Sequence, residues 1–226
     1  MPTLLAALTV GLQIGYPLVT GTARDRLAVV TVLAFLAASL AHAVQTQGAG
    51  WALRFLAVVL PVSLAVEALG VRTGFPFGDY AYGDSLGTTL LGVPVVVPLA
   101  WAMFAYVALL VGRLLGHPVL GGAWALASWD LYLDPQMTRA GHWRFDGGGV
   151  PLTNYLGWAL TALVLMALLS RLPWRDSLVG VPVGLFLWTW LGSALAFVAF
   201  LGWPADGLVG LAGMAVVGVP LLRRLT

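Results

Sequence analysis

Residues 89–111 read "TLLGVPVVVPLAWAMFAYVALLV", 23 residues without one charged side chain. As a helix rising about 1.5 Å per residue, such a run crosses the roughly 30 Å hydrocarbon core of a bilayer. Working outward from it, similar apolar windows recur along almost the whole chain. The spans predicted are 3–20, 27–45, 51–70, 89–111, 118–134, 154–172, 178–201 and 206–222. The first and fifth are short, so the reading is about eight spans, or seven with one re-entrant segment. The expected fold is an all-α polytopic transmembrane bundle: a single integral membrane domain over residues 1–226 with no soluble domain.

Composition agrees. The 226 residues are 60% hydrophobic and only 9% charged, with a mean hydropathy of +0.94. A soluble domain carries about a quarter charged residues, so this chain lacks the means to cover a water-facing surface. The N-terminus, "MPTLLAALTV", has no basic n-region and no small-residue cleavage site, and reads as the first helix and not a signal peptide. The basic residues are all arginine and are scattered, which excludes a nucleic-acid patch. Cysteine is absent, so disulfides, thiolate nucleophiles and cysteine-held metals are excluded. The three histidines, His42, His117 and His142, have no metal-ligand spacing. No glycine motif resembles a phosphate loop or a dinucleotide fingerprint. No metal and no cofactor is expected.

Two connections are long: "VRTGFPFGDYAYGDSLGT" (71–88) and "PQMTRAGHWRFDGGGVPLT" (135–153). They are rich in glycine, aromatics and aspartate, and long loops of this kind are more often functional than short ones. The helix count puts both on one side of the membrane. Orientation is not readable. Five arginines (Arg24, Arg26, Arg72, Arg139, Arg144) follow odd helices, and six (Arg54, Arg113, Arg171, Arg175, Arg223, Arg224) lie on the opposite side, which decides nothing under the positive-inside rule.

Nine acids exist, and three lie within or at the ends of spans: Glu67, Asp130 and Asp134. An ionisable group at mid-bilayer costs about 2.5–3.5 kcal/mol on insertion scales and usually faces a cavity or a partner. Asp130 and Asp134 are four apart and share one helix face. Pro135 disfavours helical geometry at Asp134, so the helix is predicted to end there, against the negative end of its dipole. Burial, the neighbouring acid and the dipole each favour the protonated carboxyl. The reading is an acid that keeps its proton near neutral pH and can give it away. Glu67, the only glutamate, falls near the end of helix 3, hence near the same membrane face. Aromatics crowd the same region. About half of them would serve an interfacial belt; the others suit a pocket for a long apolar substrate, with ring faces that stabilise a cation. A proton donor beside such rings suits acid-catalysed chemistry on an alkene.

Two segments carry a resemblance: "EALGVRTGFPFGDYAYGDSLGTTLLGVPVVVPLAW" (67–101) and "DLYLDPQMTRAGHWRFDGGGVPLTNYLGW" (130–158). Together they resemble the CruF-type carotenoid 1′,2′-hydratase family, membrane proteins of carotenoid biosynthesis. The set of Glu-x-x-Gly, Phe-Gly-x-Tyr-x-Tyr, Gly-Val-Pro-x6-Trp, Asp-x3-Asp-Pro and Val-Pro-Leu-x-Asn-x2-Gly-Trp is specific as a combination. It defines a functional core at 67–158. The chain departs from the pattern at Phe145, where a second tryptophan is expected, and at the glycine run 147–149, where an aromatic precedes the second Gly-Val-Pro.

The resemblance implies cofactor-free addition of water to the terminal C1′,C2′ double bond of an acyclic (ψ) carotenoid end group. Lycopene-, γ-carotene- and bisanhydrobacterioruberin-like molecules are the family's substrates. The catalytic candidates are Asp130, Asp134 and Glu67, with one aspartate as proton donor and Glu67 or the other aspartate orienting the water. Tyr80, Tyr82, Trp101, Trp129, Trp143 and Trp158 are expected to shape the pocket, and Asn154 and Arg139 to hydrogen-bond an acid or the water. The partners implied are a membrane-dissolved carotenoid, water and the bilayer; the membrane expected is the prokaryotic cytoplasmic one. Rival readings are a carotenoid cyclase, another prenyl-lipid enzyme and a proton-coupled transporter. A prenyltransferase needs a second Asp-rich cluster, which the chain lacks. A lack of polar residues in helices 1, 2, 7 and 8 speaks against a transport path.

Overall fold

The computed structural model describes residues 1–176 and 179–225. They form an all-α bundle: α1 (Pro2–Gly15), α2 (Gly21–Gln47), α3 (Ala49–Thr73), α4 (Val96–Leu114), α5 (Leu120–Ala140), α6 (Leu152–Leu169), α7 (Gly180–Leu195) and α8 (Pro204–Leu225). A 3-10 turn at Tyr16–Leu18 extends α1, and a π-helical turn at Ala196–Phe200 extends α7. Leu178, the predicted start of the seventh span, lies outside the described residues. Six helices are long and apolar enough to cross a membrane. The other two are those flagged by their sequence: α1 is short, and α5 carries Asp130, Asp134 and Arg139.

The opening stretch supplies the axis of this bundle. Every residue from Trp101 to Gly112 is buried, and α4 packs against α2, α3, α5, α6 and α7. A helix that is apolar on all sides belongs inside, and its neighbours, not lipid, surround it. It starts later than predicted, at Val96. Residues 89–94 instead form a two-stranded hairpin, β2 (Thr89–Leu90) with β3 (Val93–Pro94). The reason is local: Leu91 and Gly92 both take positive φ in the turn, and Pro94 pushes the residue before it out of helical geometry.

Pro135 does not end α5, contrary to the sequence expectation. The helix runs on to Ala140 and stops at Gly141, which takes the left-handed conformation and donates its N–H to the Met137 and Thr138 carbonyls. A proline removes one intrahelical hydrogen bond. α5 packs against α4, α6 and α8, and that packing overrides the local preference. Asp134 therefore sits more than a turn inside the helix, and the dipole contribution expected at a helix end falls away.

The two long loops meet, as the helix count required. β1 (Tyr80–Tyr82) from the first pairs antiparallel with β4 (Trp143–Phe145) from the second, in the register Tyr80 with Phe145 and Tyr82 with Trp143. This ribbon caps the bundle above the acids.

Candidate active site

α3 offers Glu67 to the cap. Its Oε2 accepts from the Tyr80 hydroxyl at 2.6 Å and the Tyr82 hydroxyl at 2.8 Å, and its Oε1 accepts from the Trp101 indole N–H at 2.9 Å. Period-two alternation along β1 puts both tyrosines on one face of the ribbon, so one strand delivers two donors to one carboxylate. Glu67 is an acceptor in every one of these contacts, and each of them favours the ionised form of its carboxyl group. Burial first, and then the charge of Glu67, push both tyrosine hydroxyls well above the usual phenol range, so they remain donors at any physiological pH.

Gly70, one turn beyond Glu67, makes this contact fit. A Cβ there would lie 2.9 Å from both the Tyr80 hydroxyl and a Phe77 ring carbon. Gly157 on α6 does the same for the loop: its Cβ would lie 2.7 Å from Phe77 and 2.8 Å from the Pro76 carbonyl. The sequence reading quoted both glycines inside its motifs without a role for them. The Glu-x-x-Gly and Gly-Trp spacings were the available signal.

α5 and α6 build the second half. Asn154 Nδ2 donates to Asp130 Oδ2 at 2.9 Å and also to Asp134 Oδ2. The Trp143 indole approaches Asp134 as a further donor. Among the described residues nothing donates to Asp130 Oδ1, although Asp130 is fully buried. Asp134 lines the cavity and Asp130 does not, so Asp134 is in front and Asp130 behind it.

The cavity between these groups has an empty volume of about 1400 Å³, its open mouth included. Its tryptophans are ordered as a wall. Trp101 and Trp158 stack with centroids 3.9 Å apart, and Trp129 meets Trp158 edge-on at 5.9 Å. Of the residues named from sequence, the structure brings Glu67, Asp134, Tyr80, Tyr82, Trp101, Trp129, Trp143, Asn154 and Trp158 to this one cavity. It does not bring Arg139 there. That guanidinium pairs with Asp206 at 2.6 Å and lies over the Trp203 ring at 4.6 Å. Among the described residues, no group of three or more His, Cys, Asp or Glu side chains is arranged to hold a metal ion.

Comparison with known proteins gives two findings. The family model described as "Carotenoid biosynthesis protein" matches residues 27–219. The chain is similar to the bisanhydrobacterioruberin hydratase of Haloarcula japonica, 34% identical over 178 residues, which covers 69% of this chain and 59% of that protein. The chain thus spans somewhat under two thirds of that relative's length. No solved structure matches it.

Proposed function

The chain belongs to the carotenoid biosynthesis protein family, and from that premise we propose that it hydrates carotenoids by acid catalysis. The substrate is an acyclic (ψ) end group, and the bond that reacts is its terminal C1′,C2′ double bond. The reading agrees with the printed activity of the Haloarcula relative. It rests above all on one observation: two carboxyl groups share a single amide at the wall of a largely apolar, tryptophan-lined cavity.

The chemistry follows from those contacts. Two adjacent carboxylates repel each other, and one proton between them removes that repulsion. Asp134, on the cavity side, delivers this proton to C2′, leaving a tertiary cation at C1′. The faces of Trp101, Trp129 and Trp158 carry negative potential and stabilise it. The Glu67 carboxylate adds a fixed negative charge in a medium that screens little. Water attacks C1′ and loses a proton to the aspartate pair, which restores the starting state. The sum is one water added and a tertiary alcohol formed, and no redox step is needed.

Expression in a lycopene-accumulating host tests this. The expected product is lycopene carrying one or two added waters by mass spectrometry. A product of unchanged mass would mean that an alkene captures the cation, as in a cyclase, and would overturn the hydratase reading.

A further inference from the structure

The proposed reaction consumes water inside a largely apolar cavity, and the two acids that line it, Glu67 and Asp134, already have donors of their own. The cavity has a second wall, built by α1, α2 and α7. It contributes Gln13, Thr31 and Thr189. Gln13 Oε1, Thr31 Oγ1 and Thr189 Oγ1 are each buried without a hydrogen-bond partner among the described residues. This also revises the expectation that helices 1, 2 and 7 carry no polar groups of consequence.

These hydroxyls break the local rule. Helical Ser and Thr side chains in apolar surroundings usually bond the carbonyl one turn back. Thr9, Thr46, Ser63 and Thr73 do so here, at 2.7–2.9 Å. Thr31 and Thr189 do not, although Thr31 is 9% exposed and Thr189 only 2%. Thr138 and Thr161 are also unpartnered, but neither lines the cavity; the Tyr16 hydroxyl, on the same wall, is unpartnered and does. A buried polar atom left alone costs about 1–3 kcal/mol. Ordered water normally satisfies such atoms, and a buried water needs 2–4 polar partners.

We propose that Gln13, Thr31 and Thr189 hold the water that captures the cation, on a wall separate from the one that donates the proton. This rests on the hydratase reading and assigns its second reactant.

The test uses two exits from one cation. In D₂O the aspartate pair delivers a deuteron to C2′. The cation then either takes up water or returns a proton and reverts to an alkene that can retain deuterium. Thr31→Val and Thr189→Val keep the side-chain shape and remove the hydroxyl. Each is expected to raise the ratio of exchanged alkene to hydrated product about two- to tenfold, the range of one neutral hydrogen bond. Thr31→Ser and Thr189→Ser, which keep the hydroxyl, are expected to hold the wild-type ratio, as is the control Thr161→Val. The ratio does not depend on how much of a variant folds. A ratio unchanged in both valine variants, or exchange and hydration lost together in folded protein, would overturn the water site. Wild-type protein that neither hydrates nor exchanges would instead remove the hydratase reading itself.

Discussion

The cavity holds two carboxylate sites that differ in their supply of donors. Glu67 has three donors for one carboxylate, drawn from two elements. Asp130 and Asp134 share one amide, with Trp143 approaching the second, and one oxygen of Asp130 has nothing. Donors favour the ionised form of a carboxylate, whereas a pair short of donors favours a shared proton. On the proposed mechanism the same residue class, in one cavity, serves opposite tasks: fixed charge in one place, proton delivery in the other.

The sharpest way to break this comparison is to remove the proton. Asp134→Asn keeps the shape and abolishes the acid. Hydration should fall about 10²–10⁴-fold, the usual worth of a positioned acid. Asp130→Asn, behind the cavity wall, should cost less than Asp134→Asn but more than any change at the cap. Rates measured in membranes at equal protein content check the order. Wild-type hydration by the Asp134→Asn protein would place the proton elsewhere and dissolve the contrast.

The opposite substitution probes the other site. Glu67→Gln gives three donors one carbonyl oxygen and one NH₂ group, so at least one donor loses its acceptor. An unpaired buried donor costs about 1–3 kcal/mol, and the expected loss is one of stability, with the cap loosened from α3. Thermal unfolding in detergent reads it. Activity should fall less than in Asp134→Asn, because the proton donor survives. A larger fall with unchanged stability would make Glu67 the acid.

Much of this was legible in the sequence, for physical reasons. Apolar runs long enough for a bilayer fix the helices. Acids are too costly in such runs to stand there idly, so Glu67, Asp130 and Asp134 announced themselves. Asn154 and the tryptophans came with the motifs. What was not legible depended on tertiary packing. Pro135 reads as a stop, and only its neighbours in α4, α6 and α8 make it a residue inside a helix. The start of α4 was missed because "LLGVP" is as apolar as a helix and its turn shows only in backbone conformation. Arg139, next to the acids in sequence, projects elsewhere because Asp206 and Trp203 arrive from a distant connection. Thr31 and Thr189 look like any helical threonine until their missing partners are seen.

A third test acts on what the two sites share. The cap that brings Tyr80 and Tyr82 to Glu67 and Trp143 to Asp134 is fastened at His142. Its Nδ1 hydrogen-bonds Ser85 Oγ at 2.7 Å, and its Nε2 lies 3.9 Å from Asp25 Oδ1 on α2. Burial holds the His142 imidazole below its ordinary pKa, and Asp25 opposes that only in part. The unfolded chain, with a histidine near 6.5, then binds more protons than the folded one in the interval below that value. Stability is complete above about pH 6.5 and declines as the pH falls from there towards the folded-state value. One group limits the slope to about 1.4 kcal/mol per pH unit. The proton kept by the aspartate pair acts in the opposite sense over the same interval, so the contribution of His142 is read as a difference: between pH 7 and pH 5 the unfolding temperature of His142→Gln should rise relative to the wild type. A difference that stays constant with pH would assign the titration to another group.

The smallest effect is expected where the sequence suggested a large one. Arg139 lies five residues after Asp134, and a guanidinium on that pair would supply the donors it lacks. In the structure it is turned outward, 42% exposed, paired with Asp206 and resting on Trp203. Exposed ion pairs contribute about 0–1 kcal/mol, so Arg139→Ala should leave hydration intact and lower stability by no more than about that amount. The variant is informative because its two outcomes bear on the contrast directly. Unchanged hydration fits an aspartate pair that works without a cation. A collapse comparable to Asp134→Asn would mean that Arg139 swings onto the pair during the reaction. The pair would then be donor-rich when it acts, and the difference from Glu67 would belong to the resting state alone.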